Sequence, residues 1–266
     1  MKFDKVACRQ IEGIPNGPVF SENDLRIMGE ITGVHFTNNQ TGTEFPFSGT
    51  TRQQMLVAVR NAERLLQDDR LLLKFCTRTG KDREDVVANL EKISSVGTFL
   101  KFGKLSRPDK KIKDLAVTLR GKSNEETLQN IIKYVCRFPY YDQEGNELEK
   151  WKTTFLQRSA KQIFKSHVSY GCDDHAIIFS ALARELGFPT KHITAKRLGK
   201  SGMHAWPQVF VENQWVDINA TTGEKPFDYT RAVHGPYKIL SESLDPADSV
   251  MKNYQDWRDI EKKFEV

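Results

Sequence analysis

Gly171-Cys172-Asp173-Asp174-His175 opens the most strongly patterned helix of the chain, and the reading of this stretch decides the fold. Ala176, Phe179, Leu182, Ala183 and Leu186 follow it on one helical face, and Gly187 and Pro189 supply the stop. Downstream the hydrophobic period changes from helix to strand at 192–195, at 205–211 and at 214–218. Glu212-Asn213 is the tight turn that joins the last two into a hairpin. Upstream, Ser123 and Glu126 have capping-box spacing before Leu128, Ile131, Ile132 and Val135, and this helix is expected to end before Pro139. A shorter helix is expected over 157–164. Helices, then a helix led by a cysteine, then antiparallel strands make an α+β pattern.

Three side chains in this pattern could do chemistry together. A thiol at a helix N-terminus meets the positive end of the helix dipole and unsatisfied N–H groups, both of which favour the nucleophilic thiolate. Cys172 has that position, and the Cys172 N–H is placed to hold an oxyanion. The first-turn carboxylates Asp173 and Asp174 oppose thiolate formation, so a base is needed. His204, in Gly202-Met203-His204-Ala205-Trp206, begins a strand. Asp217 lies on the next strand, and a hairpin about 212–213 is read as bringing the two to the same end. An acid there would hold one imidazole nitrogen while the other faces the thiol. Taken singly, each of the three is more readily read as an ordinary buried or hydrogen-bonded residue.

Taken together, the order is specific. Gly-Cys-Asp-Asp-His-Ala (171–176), Leu-Ala-Arg-Glu-Leu-Gly-Phe-Pro (182–189), Gly-Met-His-Ala-Trp (202–206) and Asn-Gln-Trp-Val-Asp-Ile-Asn-Ala-Thr (213–221) resemble the transglutaminase-like superfamily of papain-type folds. The resemblance covers residues 112–222. It implies a papain-like core with an antiparallel sheet packed on a central helix. It also implies Cys172 as nucleophile, His204 as general base and then acid, and Asp217 as orienter. Where the family often has an acidic residue before the cysteine, this chain has Gly171, and where the family often shows Asp-Pro-Thr, this chain has Asp217-Ile218-Asn219. The class also uses a side-chain oxyanion donor upstream of the cysteine, for which Gln162, Trp151, Tyr140 and Tyr141 are the candidates.

The rest of the chain bounds this reading. With 266 residues, 38% hydrophobic and 28% charged, it can bury a core, and wholesale disorder is excluded. Residues 13–50 are rich in turn formers and read as loops, with a short strand pair around 31–36. Helical spacing begins at Gln53, with Met55, Val59, Ala62 and Leu65 on one face, and further helical runs are expected over 72–76 and 83–93. The division expected is an N-terminal, mainly helical extension (1–111), a catalytic domain (112–240) and a C-terminal helical tail (241–266) that packs on the core through Val250, Tyr254, Trp257 and Ile260. Residues 1–113 hold 19 Lys+Arg against 14 Asp+Glu, and the remainder is balanced at 21 against 21. The excess is densest at Lys101, Lys104, Arg107, Lys110, Lys111 and Lys113. Such a patch suits an acidic partner or nucleic acid, and its bland alternative is a solvated linker.

The four cysteines, 8, 76, 136 and 172, form no C-x-x-C pair, which argues against a zinc ribbon, a redox pair or a disulfide scaffold. Cys172 and His175 could be half a metal site, but no second pair stands at standard spacing, and no acidic D-x-D-x-D-G loop for calcium is present. No apolar run reaches the roughly 20 residues of a membrane helix. No secretory signal is read at the N-terminus, so a cytoplasmic protein with free thiols is expected, needing no cofactor and no metal. The expected function is acyl transfer from a glutamine or peptide amide through a thioester, with a protein or peptide as substrate. The alternatives are a cysteine peptidase of the same fold and a non-catalytic protein-binding module.

Overall fold

The computed structural model describes residues 20–33, 52–140, 152–212, 214–232 and 236–263. Nine helices are described: α1 (Glu22–Thr32), α2 (Arg52–Gln67), α3 (Asp69–Thr79), α4 (Arg83–Gly97), α5 (Lys110–Leu119), α6 (Asn124–Val135), α7 (Ala160–Ser166), α8 (Cys172–Glu185) and α9 (Tyr254–Lys263). Four strands complete the described elements: β1 (Thr190–Arg197), β2 (Met203–Val211), β3 (Gln214–Asp217) and β4 (Tyr237–Ser243). The strands form one antiparallel sheet in the order β3-β2-β1-β4. The architecture is α+β, as the sequence pattern implies, with the N-terminal part helical.

Helix α8 is the centre of the molecule. Every residue from Asp173 to Arg184 is buried, so this helix is enclosed on all sides rather than amphipathic. Ile177, Ile178, Phe179, Ala181, Leu182 and Ala183 pack against α5, α6 and α7 on one side. On the other side they meet the sheet face formed by Val209, Val211, Val216 and Ile218. Full enclosure forces the helix's polar residues to find internal partners. Fully buried Arg184 donates to the carbonyls of Thr190 and Leu244 and to Ser106 Oγ at 2.6 Å. Burial pulls its guanidinium down to about 9, with the Asp245 carboxylate opposing that shift. Asp245 in turn accepts from the backbone N–H groups of Leu105 (2.7 Å) and Ser106 (3.1 Å). Gly103 permits that approach, because a Cβ there would lie 2.1 Å from Asp245 Oδ2.

The N-terminal helices have their own core of Phe20, Met28, Ala58, Leu65, Phe75 and Leu90. They join the sheet through a second cluster, in which Met55, Val96 and Leu100 pack on Phe210 and Trp215. Helices α2 and α4 touch closely, since a Cβ at Gly97 would lie 2.0 Å from Val59 Cγ2. Helix α9 closes the other end, where Tyr254, Trp257 and Ile260 pack on Phe155, Leu156 and Met251.

Three expectations change. The loop expected over 13–50 contains α1. Its start is fixed by a reciprocal capping box between Ser21 and Asp24, and it ends at Gly33 with φ 72°. Of the strand pair around 31–36, Ile31 and Thr32 are helical and 34–36 lie outside the described residues. The basic stretch 101–113 is not a free linker. Leu105 and Ser106 are bound to Asp245, Gly103 donates to Ser106 Oγ, and α5 starts at Lys110 with Asp109 as its cap. Strand β4 was not expected at all. It lies at the sheet edge with a half-buried pattern and pairs with β1 across a register shift at Thr194/Ala195.

Candidate active site

Cys172 is the first residue of α8, and no side chain caps that helix start. The leading N–H groups, that of Cys172 among them, are therefore left for an anion. Gly171 is extended, and a Cβ there would meet nothing within 4 Å, so the space before the helix is open. The Cys172 sulfur accepts from the Ala205 N–H at 3.3 Å. Ala205 directly follows His204 in β2, so the start of the central helix meets the sheet one residue along the strand from His204. Burial, and then the neighbouring Asp173 carboxylate, push the Cys172 thiol above its ordinary value, and the Ala205 N–H works against them.

His204 opens the sheet's other face. Its ring lies against Tyr237 (5.6 Å between centroids), Trp206 (5.7 Å) and Phe227 (5.7 Å). His204 Nε2 faces Asn219 Oδ1 at 3.3 Å, and that amide's nitrogen donates to Glu224. Asn219, two residues after the expected Asp217, is thus a hydrogen-bond partner of the His204 ring. Asp217 Oδ1 accepts from Trp206 Nε1 at 2.6 Å and from Gln208 Nε2 at 3.0 Å. The reason is register: β3 pairs with β2 so that Asp217 stands opposite Gln208. That is four residues along β2 from His204, roughly 13 Å at the strand rise. Asn219, two residues further along, reaches His204 Nε2.

The surroundings of the helix start are polar and buried. Asp174 pairs with Arg158 at 2.5 Å and accepts from the Tyr170 N–H at 2.8 Å. Burial nevertheless raises Asp174 to about 6, with Arg158 opposing. Asp173 faces His192 Nε2 at 3.1 Å. His175 bridges Ser169 Oγ (2.9 Å) and the Phe138 carbonyl (3.1 Å), tying α8 to the chain end of α6. Among the described residues no cluster of three or more His, Cys, Asp or Glu could hold a metal.

Of the upstream oxyanion candidates, Trp151 and Tyr141 lie outside the described residues. Gln162 is exposed and closes the capping box of α7 with Ser159. Tyr140 is half exposed, and its hydroxyl bonds Thr221 Oγ1 at 3.4 Å. Burial first, and Cys172 next, raise that hydroxyl above its ordinary value. Tyr237 also feels Cys172, after burial and Arg197. In space Tyr140 lies against His175, at 5.3 Å between ring centroids, and Tyr237 against His204. Tyr237 lies on the unexpected strand β4, and its approach could not be read without that strand's register. Asn219 was within reach of sequence reasoning, because it occupies the quoted segment 213–221 two residues after the chosen acid.

Residues 113–220, from α5 to just beyond Asn219, match the family model of the Transglutaminase-like superfamily. A solved structure described as a "Putative Cysteine Protease from Cytophaga hutchinsonii" is also similar, at 20% identity and a TM-score of 0.44. The similarity covers 58% of this chain and spans 48% of that one, about half its length. No curated protein matches. Among the described residues no helix is long and apolar enough to cross a membrane. The segment that builds the helix–sheet core and carries Cys172, His204 and Asn219 is thus similar to the transglutaminase-like superfamily.

Proposed function

We propose that this protein is a cysteine acyl-transfer enzyme acting on a glutamine or peptide amide through a thioester on Cys172. The observation that carries the reading is the Ala205 N–H at 3.3 Å from the Cys172 sulfur, beside a histidine whose other side faces Asn219. His204 takes the thiol proton as the sulfur attacks the amide carbonyl, forming the S–C bond. The Cys172 N–H and the Tyr140 hydroxyl stabilise the oxyanion. The Tyr140 ring lies 5.3 Å from that of His175, one helical turn beyond Cys172, and this supports its part in the reaction. As the C–N bond breaks, His204 returns the proton to the departing amine. Water or a primary amine then gives its proton to His204 and attacks the thioester, releasing the thiol. Asn219 is the positioning residue, whose carbonyl oxygen fixes His204 Nε2–H and leaves Nδ1 for the sulfur. Burial pushes the Cys172 thiol up, which fits a mechanism in which deprotonation accompanies attack.

The test is incubation of the full chain with a glutamine-containing peptide and a primary amine, followed by mass spectrometry. Ammonia loss with amine gain identifies transfer. Ammonia loss with water gain identifies deamidation. Backbone cleavage moves the assignment to a peptidase of the same chemistry. An unmodified peptide library, with Cys172 never acylated, would overturn the enzymatic reading in favour of a binding module.

A further inference from the structure

A second site lies away from the nucleophile, between the N-terminal helices and the entry to the core. A cleft of about 620 Å³ opens between α2, the segment after α4 and the start of α5. Its charged lining is Arg52, Arg60, Lys101, Arg107 and Lys113 against the single carboxylate of Glu63. Among the described residues Arg60, Lys101, Arg107 and Lys113 form no ion pair. Elsewhere exposed cations do pair, as in Arg78–Glu30, Arg83–Asp69 and Lys110–Asp114. Arg52 is held in place, its Nε donating to the Leu100 carbonyl at 3.2 Å and its guanidinium lying 4.0 Å from the centre of the Phe102 ring. Gathering five like charges around one concavity is unfavourable unless a counter-charge enters.

We propose that this cleft binds a small organic polyphosphate, such as a nucleoside di- or triphosphate. The volume falls within the few hundred to about 1,000 Å³ of small-molecule sites. Three of the five cations are arginines, whose planar donor fork matches phosphate oxygens in pairs. The apolar wall of Phe102, Leu56 and Pro108 offers contact to an organic moiety, which free polyphosphate lacks. The concave shape and the tethering of Leu105 and Ser106 to Asp245 set this apart from an exposed basic run. The site is independent of the acyl-transfer reading, since none of its lining residues belongs to that machinery.

Isothermal titration of the full chain with inorganic tripolyphosphate, with adenosine triphosphate and with an oligothymidylate tests this. Both phosphates are expected to bind saturably at one site, with the nucleotide tighter if the apolar wall contributes. The exposed pair Arg60→Ala and Lys101→Ala should each weaken both by about tenfold. The exposed α7 pair Lys161→Ala and Lys165→Ala, and Cys172→Ala, should leave binding unchanged. Absence of saturable binding by either phosphate overturns the proposal. So does an equal loss in the α7 variants, which would mark a diffuse charge effect. Oligothymidylate binding more tightly than both phosphates would also overturn it, reassigning the cleft to nucleic acid.

Discussion

At the scale of single residues, the site turns on which of two side chains meets the imidazole. Asp217 and Asn219 are two apart at the end of a strand, so both point to the same face of the sheet. Asp217 is engaged by Trp206 and Gln208, two donors that would be left without a partner if it turned away. Asn219→Ala is therefore expected to lower kcat/KM by roughly 10- to 100-fold, since it removes one hydrogen bond to the base. Asn219→Asp should recover most of that loss. Asp217→Asn keeps an acceptor oxygen for both donors and should retain activity within about threefold, by the size of a modest hydrogen-bond change. Steady-state kinetics of the three variants decide the matter, and the reverse ranking would return the orienting role to Asp217. Cys172→Ala should abolish turnover with an unchanged melting temperature, because the side chain is small and lies at a helix start. Residual turnover at the wild-type rate would remove Cys172 from the chemistry. The strands themselves were readable as apolar, β-branched and aromatic runs through Trp206, Val209, Val211 and Val216. The partner of His204 was not, because it depends on register, which a pattern of period two leaves free by whole steps of two residues.

At the scale of elements, α8 shows how burial dictates partners. Its identity was legible from the apolar run Ala176 to Leu186 and its stop at Gly187. The buried ends were not legible, because Arg184 and Asp245 are 61 residues apart and meet only through the fold. Asp245→Ala would strip the Leu105 and Ser106 N–H groups of their acceptor and remove the counter-charge near fully buried Arg184. The expected cost is about 3–5 kcal/mol, read as a lower urea midpoint, and a change near zero would show the knot to be dispensable. The same helix sets a pH response. Burial lowers His175 from its ordinary 6.5, against the opposing bonds to Gly171 and Phe138. A ring that is neutral when folded and charges on unfolding gives stability that is complete above pH 6.5 and lost as the pH falls below it. Melting temperatures followed downward from pH 7.5 to about pH 5 should drop, and His175→Gln should flatten that part of the slope. An unaltered slope in the variant would place the response elsewhere. Helix α1 and strand β4 stayed hidden from the sequence for opposite reasons. The first is short and flanked by turn formers, so its signal lies in one cap. The second is a half-buried edge strand carrying Lys238, Ser241 and Glu242, whose apolar alternation is too weak to read.

At the scale of the whole molecule, the question is whether the N-terminal helices and the helix–sheet core unfold together. Each has its own apolar cluster. What joins them is the small cluster of Met55, Val96 and Leu100 against Phe210 and Trp215, on the sheet face turned away from α8. Trp215 is the keystone of that contact. It is 4% exposed, stands edge-on to Phe99 at 5.6 Å and to Phe210 at 5.2 Å, and has the Lys191 ammonium 4.3 Å from its ring centre. Removing it takes away packing from both sides at once, while each half retains its own core. Loss of such a buried aromatic costs about 3–5 kcal/mol, enough to change which parts of the molecule unfold as one. The wild-type protein should show coincident urea transitions by circular dichroism and by aromatic fluorescence. Trp215→Ala should split them, with the N-terminal helices melting at lower denaturant and the α8–sheet core persisting. Because Cys172, His204 and Asn219 all lie within that core, thioester formation on Cys172 should survive at urea concentrations that have already melted α1 to α4. Loss of acylation in step with the first transition would mean that the helical layer shapes the active site directly rather than standing behind it.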